Sequence, residues 1–146
     1  MAVTIRKMLA CDADALCRLL SNPEVMRYLE APYDRLQAED FLHRAGLADP
    51  PLIYAAEEDG TFIGYVIYHP YDEKSMEIGW VLFPEYWGRG YASALTDLLA
   101  RKAAQAHMDT VIECVPEQTA TRRITLKKGF LYGGICNGLA VYRLAH

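Results

Sequence analysis

The sequence predicts an α+β domain, a mixed α/β class in which a mostly antiparallel sheet contains one strand-helix-strand crossover. Alternating apolar patterns flank two hairpin dipeptides, Asp59-Gly60 and Asn137-Gly138, which predicts antiparallel strand pairs. A long apolar pattern of helical period separates two further strand-like segments, which predicts the crossover. The chain has 146 residues, of which 52% are hydrophobic, so we expect residues 1–146 to form a single domain with one core.

The first third of the chain is predicted to be one strand followed by helices. Residues 3–8, "VTIRKM", alternate as a short strand, and Asp12 stands where it would cap a helix over "ADALCRLL". Asn22 before Pro23 is typical of a helix start with proline at the first helical position. The segment "LQAEDFLHRAG" is predicted to be helical and to end at Gly46.

The rest of the chain is predicted to supply most of the sheet. The strands "LIYAAEE" and "TFIGYVIYH" are followed by a loop, "PYDEKS", and a third strand, "MEIGWVLF". A long helix follows, then the strand "TVIECV", a helix over "TATRRITLKKG" and a hairpin of "FLYGGI" with "LAVYRL". The predicted order is β-α-α-β-β-β-α-β-α-β-β.

Composition excludes several classes of function. The formal net charge is −4 and no long run of Lys or Arg occurs, so nucleic acid is not an expected partner. No apolar run reaches the roughly 18 residues that span a bilayer, and "MAVTIRKML" lacks a signal-peptide pattern, so we expect no membrane partner and a cytoplasmic protein. The four cysteines form no C-x-x-C pair and the histidines are scattered, so neither a disulfide framework nor a metal site is predicted.

The segment "EYWGRGYASAL" places two glycines, Gly88 and Gly90, at the start of the long helix, which is predicted to begin at Arg89 or Gly90. The first turn of a helix has unpaired N–H groups and a positive dipole end, glycine permits close backbone approach, and Arg89 adds charge, so the segment is suited to bind phosphate. A plain tight turn is one alternative. Another is a dinucleotide fingerprint formed by the two glycines and Ser93, with Glu113 as the ribose-binding acid.

The same segment resembles the acetyl-CoA-binding motif of the GNAT superfamily of N-acetyltransferases, with Trp87, Gly90 and Ala92 at its first, fourth and sixth positions. The longer segment "EIGWVLFPEYWGRGYASAL" is similar to the ribosomal-protein N-terminal acetyltransferase branch, as are "VPEQTATRRITLKKGF" and "SNPEVMRYL". Together these segments extend the resemblance over about residues 3–144.

The resemblance implies a GNAT-like fold with helices on both faces of the sheet, and acetyl-CoA as co-substrate without a metal. It implies that pantetheine hydrogen-bonds to the backbone of Val81 and Phe83 in the manner of an added strand. Further cofactor-binding residues that it implies are Gly88, Arg89, Gly90, Tyr91, Ala92, Ser93 and Gln118. For the Tyr91 and Trp87 side chains, packing beside the cofactor or in the core is the alternative to direct contact with the cofactor.

The resemblance also implies an N-acetyltransferase in which a primary amine attacks the thioester directly. Glu77 matches the general-base position of histone-type members, the alternative being an ordinary surface carboxylate, and the backbone N–H of Val81 would polarise the thioester carbonyl. Thr125 stands where many members have a tyrosine acid, so the proton for the departing thiolate is expected from water, from Tyr132 or Tyr142, or from the amine itself. Cys114 is expected to be a buried structural thiol.

The acceptor and the assembly stay open at the level of sequence. Expected acceptors are a small-molecule amine or a peptide or protein N-terminus, and a homodimer is among the expected assemblies. The absent tyrosine acid, and Gln118 where asparagine is usual, favour a non-catalytic acyl-CoA-binding or sensing module as the alternative function.

Overall fold

A computed structural model describes residues 2–146 of the protein, in which seven strands and five α-helices are formed. The strands are β1 (Val3–Arg6), β2 (Ile53–Glu58), β3 (Thr61–Asp72), β4 (Ser75–Leu82), β5 (Asp109–Cys114), β6 (Leu131–Cys136) and β7 (Leu139–Leu144). The helices are α1 (Ala13–Leu20), α2 (Pro23–Met26), α3 (Arg35–Phe41), α4 (Tyr91–Gln105) and α5 (Thr119–Lys127).

The strands hydrogen-bond in the order β1-β2-β3-β4-β5-β7-β6. Strand β4 runs parallel to β5, and α4 is the crossover between them. The pairs β1–β2, β2–β3, β5–β7 and β6–β7 are antiparallel. This topology confirms the predicted class, a mostly antiparallel sheet with one strand-helix-strand crossover.

Both predicted hairpin dipeptides form tight turns with left-handed backbone. Asp59 and Gly60 have φ of 48° and 82°, and Asn137 and Gly138 have φ of 51° and 81°. Positive φ at both central residues is the type I′ geometry, which matches the right-handed twist of the flanking strands and is tolerated by Asn, Asp and Gly. The dipeptides therefore set the β2–β3 and β6–β7 connections.

Helix starts are capped as predicted at α2 but not at α1. The Asn22 side chain accepts hydrogen bonds from the amides of Glu24 (2.9 Å) and Val25 (3.4 Å). The Asp12 carboxylate caps nothing in α1, because it accepts instead from the Leu9 amide at 2.7 Å and from the Arg6 guanidinium at 2.9 Å. The cap predicted at Asp12 is therefore wrong.

Two boundaries also differ from the predictions. The expected loop over residues 70–75 shrinks to two residues, because β3 runs on to Asp72, whose carboxylate accepts from the Lys74 amide at 2.9 Å and tightens the turn. Helix α3 continues into a π-helical turn, Leu42–Gly46, so this helical segment ends at Gly46 as predicted. Helix α2, whose start was predicted at Asn22-Pro23, makes three helices before β2 where the predicted order has two. Helix α4 begins at Tyr91 rather than at residue 89 or 90.

The contacts divide the chain into two compact units that share the strands β3 and β4. The first unit contains the residues up to Ile67 and the segment Trp80–Tyr91, and the second contains Tyr68–Gly79 and Ala92–His146. Buried side chains of the first unit include Met8, Leu16, Leu19, Leu20, Leu42, Ile53, Ala55 and Tyr65. Those of the second include Ile78, Leu95, Leu99, Val111, Ile112, Phe130 and Tyr142. The assignment of residues 1–146 to a single domain stays a prediction.

Among residues 2–146, no helix combines the length and the apolar character that crossing a membrane requires.

Candidate active site

The turn before α4 has a backbone that only glycine adopts readily. Gly88 and Gly90 have φ of 68° and 87°, in the left-handed region. A Cβ built on Gly88 would meet nothing within 4 Å, so torsion rather than packing requires glycine at this position. Residues 88–90 are exposed, and α4, which follows them, extends over 15 residues. The first amides of α4 lack intrahelical partners, so the turn fits an anionic group such as a pyrophosphate.

Arg89 is held at this turn by two tyrosines. Its guanidinium carbon lies 5.9 Å from the Tyr86 ring centroid and 5.5 Å from that of Tyr91, and Nη1 donates to the Glu85 carbonyl at 3.1 Å. The two rings meet edge to face, with centroids 5.3 Å apart. Cation–π contacts with both rings restrict the side chain, so its positive charge stays at the exposed turn.

Tyr91, predicted as a cofactor-binding residue, has a buried side chain that anchors the turn. The residue is 3% exposed, and its hydroxyl donates to the Glu58 carboxylate at 2.5 Å. This hydrogen bond raises the pKa of Tyr91 above its ordinary value. The side chain therefore ties the start of α4 to the end of β2.

The backbone groups of Val81 and Phe83 are directed toward β3, and not toward the open edge of β4 where pantetheine was expected to bind them. The Phe83 amide donates to the Ile63 carbonyl at 3.0 Å, and the Phe83 carbonyl accepts from the Tyr86 amide at 3.0 Å. The Val81 carbonyl also points toward β3, because a Cβ built on Gly64 would lie 2.1 Å from its oxygen. The amide of Phe83 is thus engaged within the sheet, contrary to the expectation that it is exposed for a ligand.

Backbone groups of a strand alternate between its two edges, so those of Trp80 and Leu82 face away from β3. Pairing of β4 with β5 covers only Ser75–Glu77 against Asp109–Val111. The Leu82 carbonyl accepts from the indole Nε1 of Trp87 at 2.9 Å, and the Trp87 side chain is otherwise half-exposed. The Leu82 carbonyl is thus engaged, and the backbone groups of Trp80 and the Leu82 amide are the ones that this edge offers for strand-like addition.

The remaining predicted cofactor residues, Ala92, Ser93 and Gln118, lie in the second unit. Ala92 and Ser93 are half-buried in the first turn of α4. The Gln118 side chain accepts from the Val115 amide at 3.3 Å and donates to the Thr121 hydroxyl at 3.5 Å. Its amide group thus stabilises the turn that leads into α5.

Glu77 of β4 is half-buried and has titratable neighbours on two other strands, β3 and β5. The His69 Nε2 lies 3.9 Å from its Oε1, and the Glu113 carboxylate of β5 acts on the same group. Burial is the largest cause that raises the pKa of Glu77, Glu113 raises it further, and His69 opposes them. A carboxylate with a raised pKa is a better proton acceptor than an ordinary surface glutamate.

Tyr71 of β3 completes this group. Its interaction with the Glu113 carboxylate is the largest cause that raises the pKa of Tyr71 to about 12, and Glu77 contributes to the same shift. We refer to His69, Tyr71, Glu77 and Glu113 as the β3–β5 cluster. All four belong to the second unit.

The other side chains considered from the sequence are engaged in structural contacts rather than placed for catalysis. Thr125 is fully buried and its hydroxyl donates to the Thr121 carbonyl at 2.7 Å. Cys114 is buried, and desolvation raises the pKa of its thiol, which disfavours a thiolate nucleophile. The buried Tyr142 hydroxyl accepts from the Arg122 Nε at 2.8 Å. Nowhere in the described part of the chain do three or more His, Cys, Asp or Glu side chains form a group that could hold a metal ion.

Sequence reasoning missed His69 and Gly64, and it weighed Glu113 only as a ribose-binding acid. The association of Glu77 with His69 and Glu113 depends on the pairing of β4 with its neighbours, which no local pattern specifies. Gly64 lies inside an apolar strand, where an isolated glycine indicates close backbone approach. That feature was available in the sequence.

A family model described as "Acetyltransferase (GNAT) domain" matches residues 2–131. Among curated proteins, the chain is 35% identical over 101 residues to the uncharacterized N-acetyltransferase p20 of Bacillus licheniformis, covering 62% of this chain and 56% of that protein. It is 29% identical over 131 residues to the uncharacterized N-acetyltransferase YnaD of Bacillus subtilis, covering 86% of this chain and 76% of that protein. The chain therefore spans little more than half the length of p20.

Among solved structures, a GNAT-family acetyltransferase from Bacillus anthracis has a TM-score of 0.87 at 23% identity, covering 99% of this chain and 95% of that chain. The ribosomal L7/L12 acetyltransferase RimL in complex with coenzyme A has a TM-score of 0.83 at 17% identity, covering 99% and 95%. Spermidine N-acetyltransferase from Vibrio cholerae, in complex with CoA and spermine, has a TM-score of 0.78 at 21% identity, covering 97% and 93%. At these identities the likenesses show a shared fold.

Proposed function

Because the chain belongs to the GNAT acetyltransferase family, we propose that it transfers the acetyl group of acetyl-CoA to a primary amine by direct attack of the amine on the thioester. The single observation that carries this proposal is the β4–α4 connection, where two left-handed glycines and Arg89 stand at the start of a 15-residue helix. Acetyl-CoA supplies the activated acyl group, and the residues of this chain bind, orient and deprotonate.

The turn of residues 88–93 is the proposed pyrophosphate site. The exposed backbone at Gly88 and Gly90 and the unpaired first amides of α4 donate hydrogen bonds, and Arg89 adds a positive charge that Tyr86 and Tyr91 hold in place. The helix dipole favours the same sign of ligand charge. Ala92 and Ser93 contribute their backbone amides, and Gln118 supports the turn before α5.

The backbone of β4 is the proposed site for pantetheine. Trp80 and Leu82 replace Val81 and Phe83 as the proposed partners, because the Phe83 amide already donates to Ile63. A backbone amide at this edge, that of Trp80 or Leu82 rather than that of Val81, is also the proposed donor to the thioester carbonyl. The hydrogen bond from the Trp87 indole to the Leu82 carbonyl stiffens the end of the strand.

Glu77 is the proposed general base. An amine acceptor is protonated at neutral pH and becomes a nucleophile only after it loses a proton. Burial and the neighbouring Glu113 carboxylate raise the pKa of Glu77 and so bring that pKa closer to the pH at which the enzyme works. The buried Thr125 hydroxyl already donates to the helix backbone, so the proposal gives it no part in proton transfer.

We extend the proposal to the acceptor and the setting. A small-molecule amine or a peptide or protein N-terminus is the proposed acceptor, and solved neighbours named for spermidine and for ribosomal L7/L12 support both classes. A cytoplasmic location is supported by four free cysteines, all within the described residues. A homodimer belongs to the proposal as an assembly to be tested by light scattering.

A screen for acetylated products tests the function. Purified protein is incubated with acetyl-CoA and a panel of polyamines, amino acids, aminoglycosides and N-terminal peptides, while release of coenzyme A and product mass are measured. The expected result is CoA release matched by a gain of one acetyl group on at least one primary amine. Tight acetyl-CoA binding without acetylation of any amine would instead support a non-catalytic acyl-CoA-binding module.

A further inference from the structure

His69 presents a defined ring nitrogen to Glu77. The two residues lie on β3 and β4, with side chains 28% and 26% exposed and the Nε2 to Oε1 distance at 3.9 Å. The other ring nitrogen, Nδ1, lies 3.0 Å from the Pro70 carbonyl oxygen. A carbonyl only accepts hydrogen bonds, so Nδ1 carries a proton in the neutral ring and the Nε2 lone pair is directed toward Glu77.

The other members of the β3–β5 cluster do not favour loss of a proton from Glu77. Glu113 is a second carboxylate, whose negative charge favours retention of the proton on Glu77. Tyr71 interacts with Glu113, and Cys136 of β6 is the further titratable group near its phenol. Of the groups that act on Glu77, His69 is the one whose ionised form is positive.

We propose that His69 receives the proton that Glu77 takes from the acceptor ammonium, and that it is thereby the positioning residue of the base. This inference rests on the proposed function. The ammonium gives one proton to the Glu77 carboxylate and becomes a neutral amine. The proton then moves from the Glu77 carboxyl to His69 Nε2, which leaves a carboxylate and an imidazolium that keeps its Nδ1–H on Pro70.

The relay needs only a small movement and an exit for the proton. Nε2 and Oε1 are about 1 Å beyond hydrogen-bond distance, which a side-chain rotation or one bridging water closes. The His69 side chain is 28% exposed, so the imidazolium can release its proton to solvent.

Two substitutions with opposite expected effects test the inference. His69→Gln removes the charge that lowers the pKa of Glu77, so the acid limb of the pH–rate profile moves to higher pH. Below that limb, the rate falls about tenfold for each unit that it moves, and the rate recovers at high pH. Glu113→Gln removes the charge that raises the pKa of Glu77, so its limb moves to lower pH. A purely structural role would lower the rate of both variants at every pH.

A titration of the free protein supplies a second readout. In protein labelled with ¹³C at the glutamate carboxyl carbons, the titration midpoint of Glu77 should rise in His69→Gln and fall in Glu113→Gln. His43→Gln, a substitution at an exposed residue of the first unit, is the matched control and should change neither profile. Unchanged limbs and midpoints in His69→Gln, with active wild-type protein, would overturn this inference alone. Absence of transfer by the wild type to any amine would contradict the proposed function.

Discussion

At the scale of single residues, the surroundings of Glu77 decide when it can accept a proton. Burial and Glu113 raise the pKa of this carboxyl, while His69 lowers it. The carboxylate is the active form of a base, so the rate should increase as pH rises through this raised pKa and level off above it. The acid limb should therefore lie at higher pH than an ordinary glutamate would give.

Replacing Glu77 by glutamine removes the base and nearly preserves the shape of the side chain. Glu77→Gln should lower the acetylation rate by about 10²–10⁴-fold at neutral pH, the usual scale for loss of a general base. Acetyl-CoA affinity should not change, and the acid limb of the profile should vanish. Steady-state kinetics against pH with one validated amine measures all three, and an unchanged rate would leave Glu77 as a surface carboxylate.

At the scale of elements, Gly64 sets the distance between β3 and β4. A Cβ at this position would lie 2.1 Å from the Val81 oxygen and 2.8 Å from the Leu82 Cα. Both are backbone atoms, so relieving the clash requires a shift of the strand rather than a rotation of a side chain. Gly64→Ala should therefore displace the end of β4 and destabilise the protein by about 2 kcal/mol or more. Urea unfolding measures the loss, and weaker acetyl-CoA binding should accompany it.

Gly60→Ala is the matched control for this substitution. Gly60 has φ of 82°, and a Cβ built there meets nothing within 4 Å. Its cost should be limited to the backbone term of roughly 1–2 kcal/mol, with acetyl-CoA affinity retained. Equal effects of the two substitutions on affinity would show that the spacing of β3 and β4 does not control the site.

The connection from β1 to α1 is held by the ion pair of Arg6 and Asp12. The Arg6 guanidinium, with the Leu9 amide as a further donor, lowers the pKa of Asp12, which is 5% exposed. A carboxyl with a lowered folded pKa stabilises the protein above its unfolded value of about 3.9, and this stabilisation is lost as pH falls through the folded pKa.

Asp12→Asn should accordingly destabilise the protein by about 1–3 kcal/mol at pH 7, the range for losing hydrogen bonds to a buried charged group. The difference from wild type should shrink as pH falls below about 4, because the unfolded carboxyl then takes up a proton that the native carboxyl, with its lowered pKa, does not yet bind. Chemical unfolding at pH 7 and pH 3 measures both values. Asp14→Asn, at an exposed aspartate paired with Arg35, is the control that should change stability little.

At the scale of the whole molecule, the element order and the family motif could be predicted from the sequence because both rest on local patterns. Asn22 caps its helix as expected, and both type I′ turns form at the predicted dipeptides. The edge that each β4 amide faces could not be predicted, because a strand one residue out of register reverses every backbone group. The helix cap predicted at Asp12 is wrong for a related reason. Its carboxylate forms an ion pair with Arg6 instead of accepting from the first amides of α1.

The partners of Glu77 are the part of the candidate site that depended most on the fold. His69 and Glu113 lie 8 positions before and 36 positions after it in the sequence, and only strand pairing associates all three. The residues of the glycine turn, in contrast, are contiguous in the sequence, so they could be identified without knowledge of the fold. Contiguous backbone sites were therefore predictable, whereas a cluster assembled from three strands was not.

The most direct test of the central claim, that the turn before α4 binds acetyl-CoA, is a calorimetric titration of wild type, Gly90→Ala and Gly138→Ala with acetyl-CoA. Gly90 and Gly138 have φ of 87° and 81°, so alanine imposes similar backbone strain at both. The account predicts wild-type affinity in Gly138→Ala and a dissociation constant at least about tenfold higher in Gly90→Ala, a loss of about 1.4 kcal/mol. Equal affinity of all three proteins, or wild-type protein that binds NADH as tightly as acetyl-CoA, would contradict it.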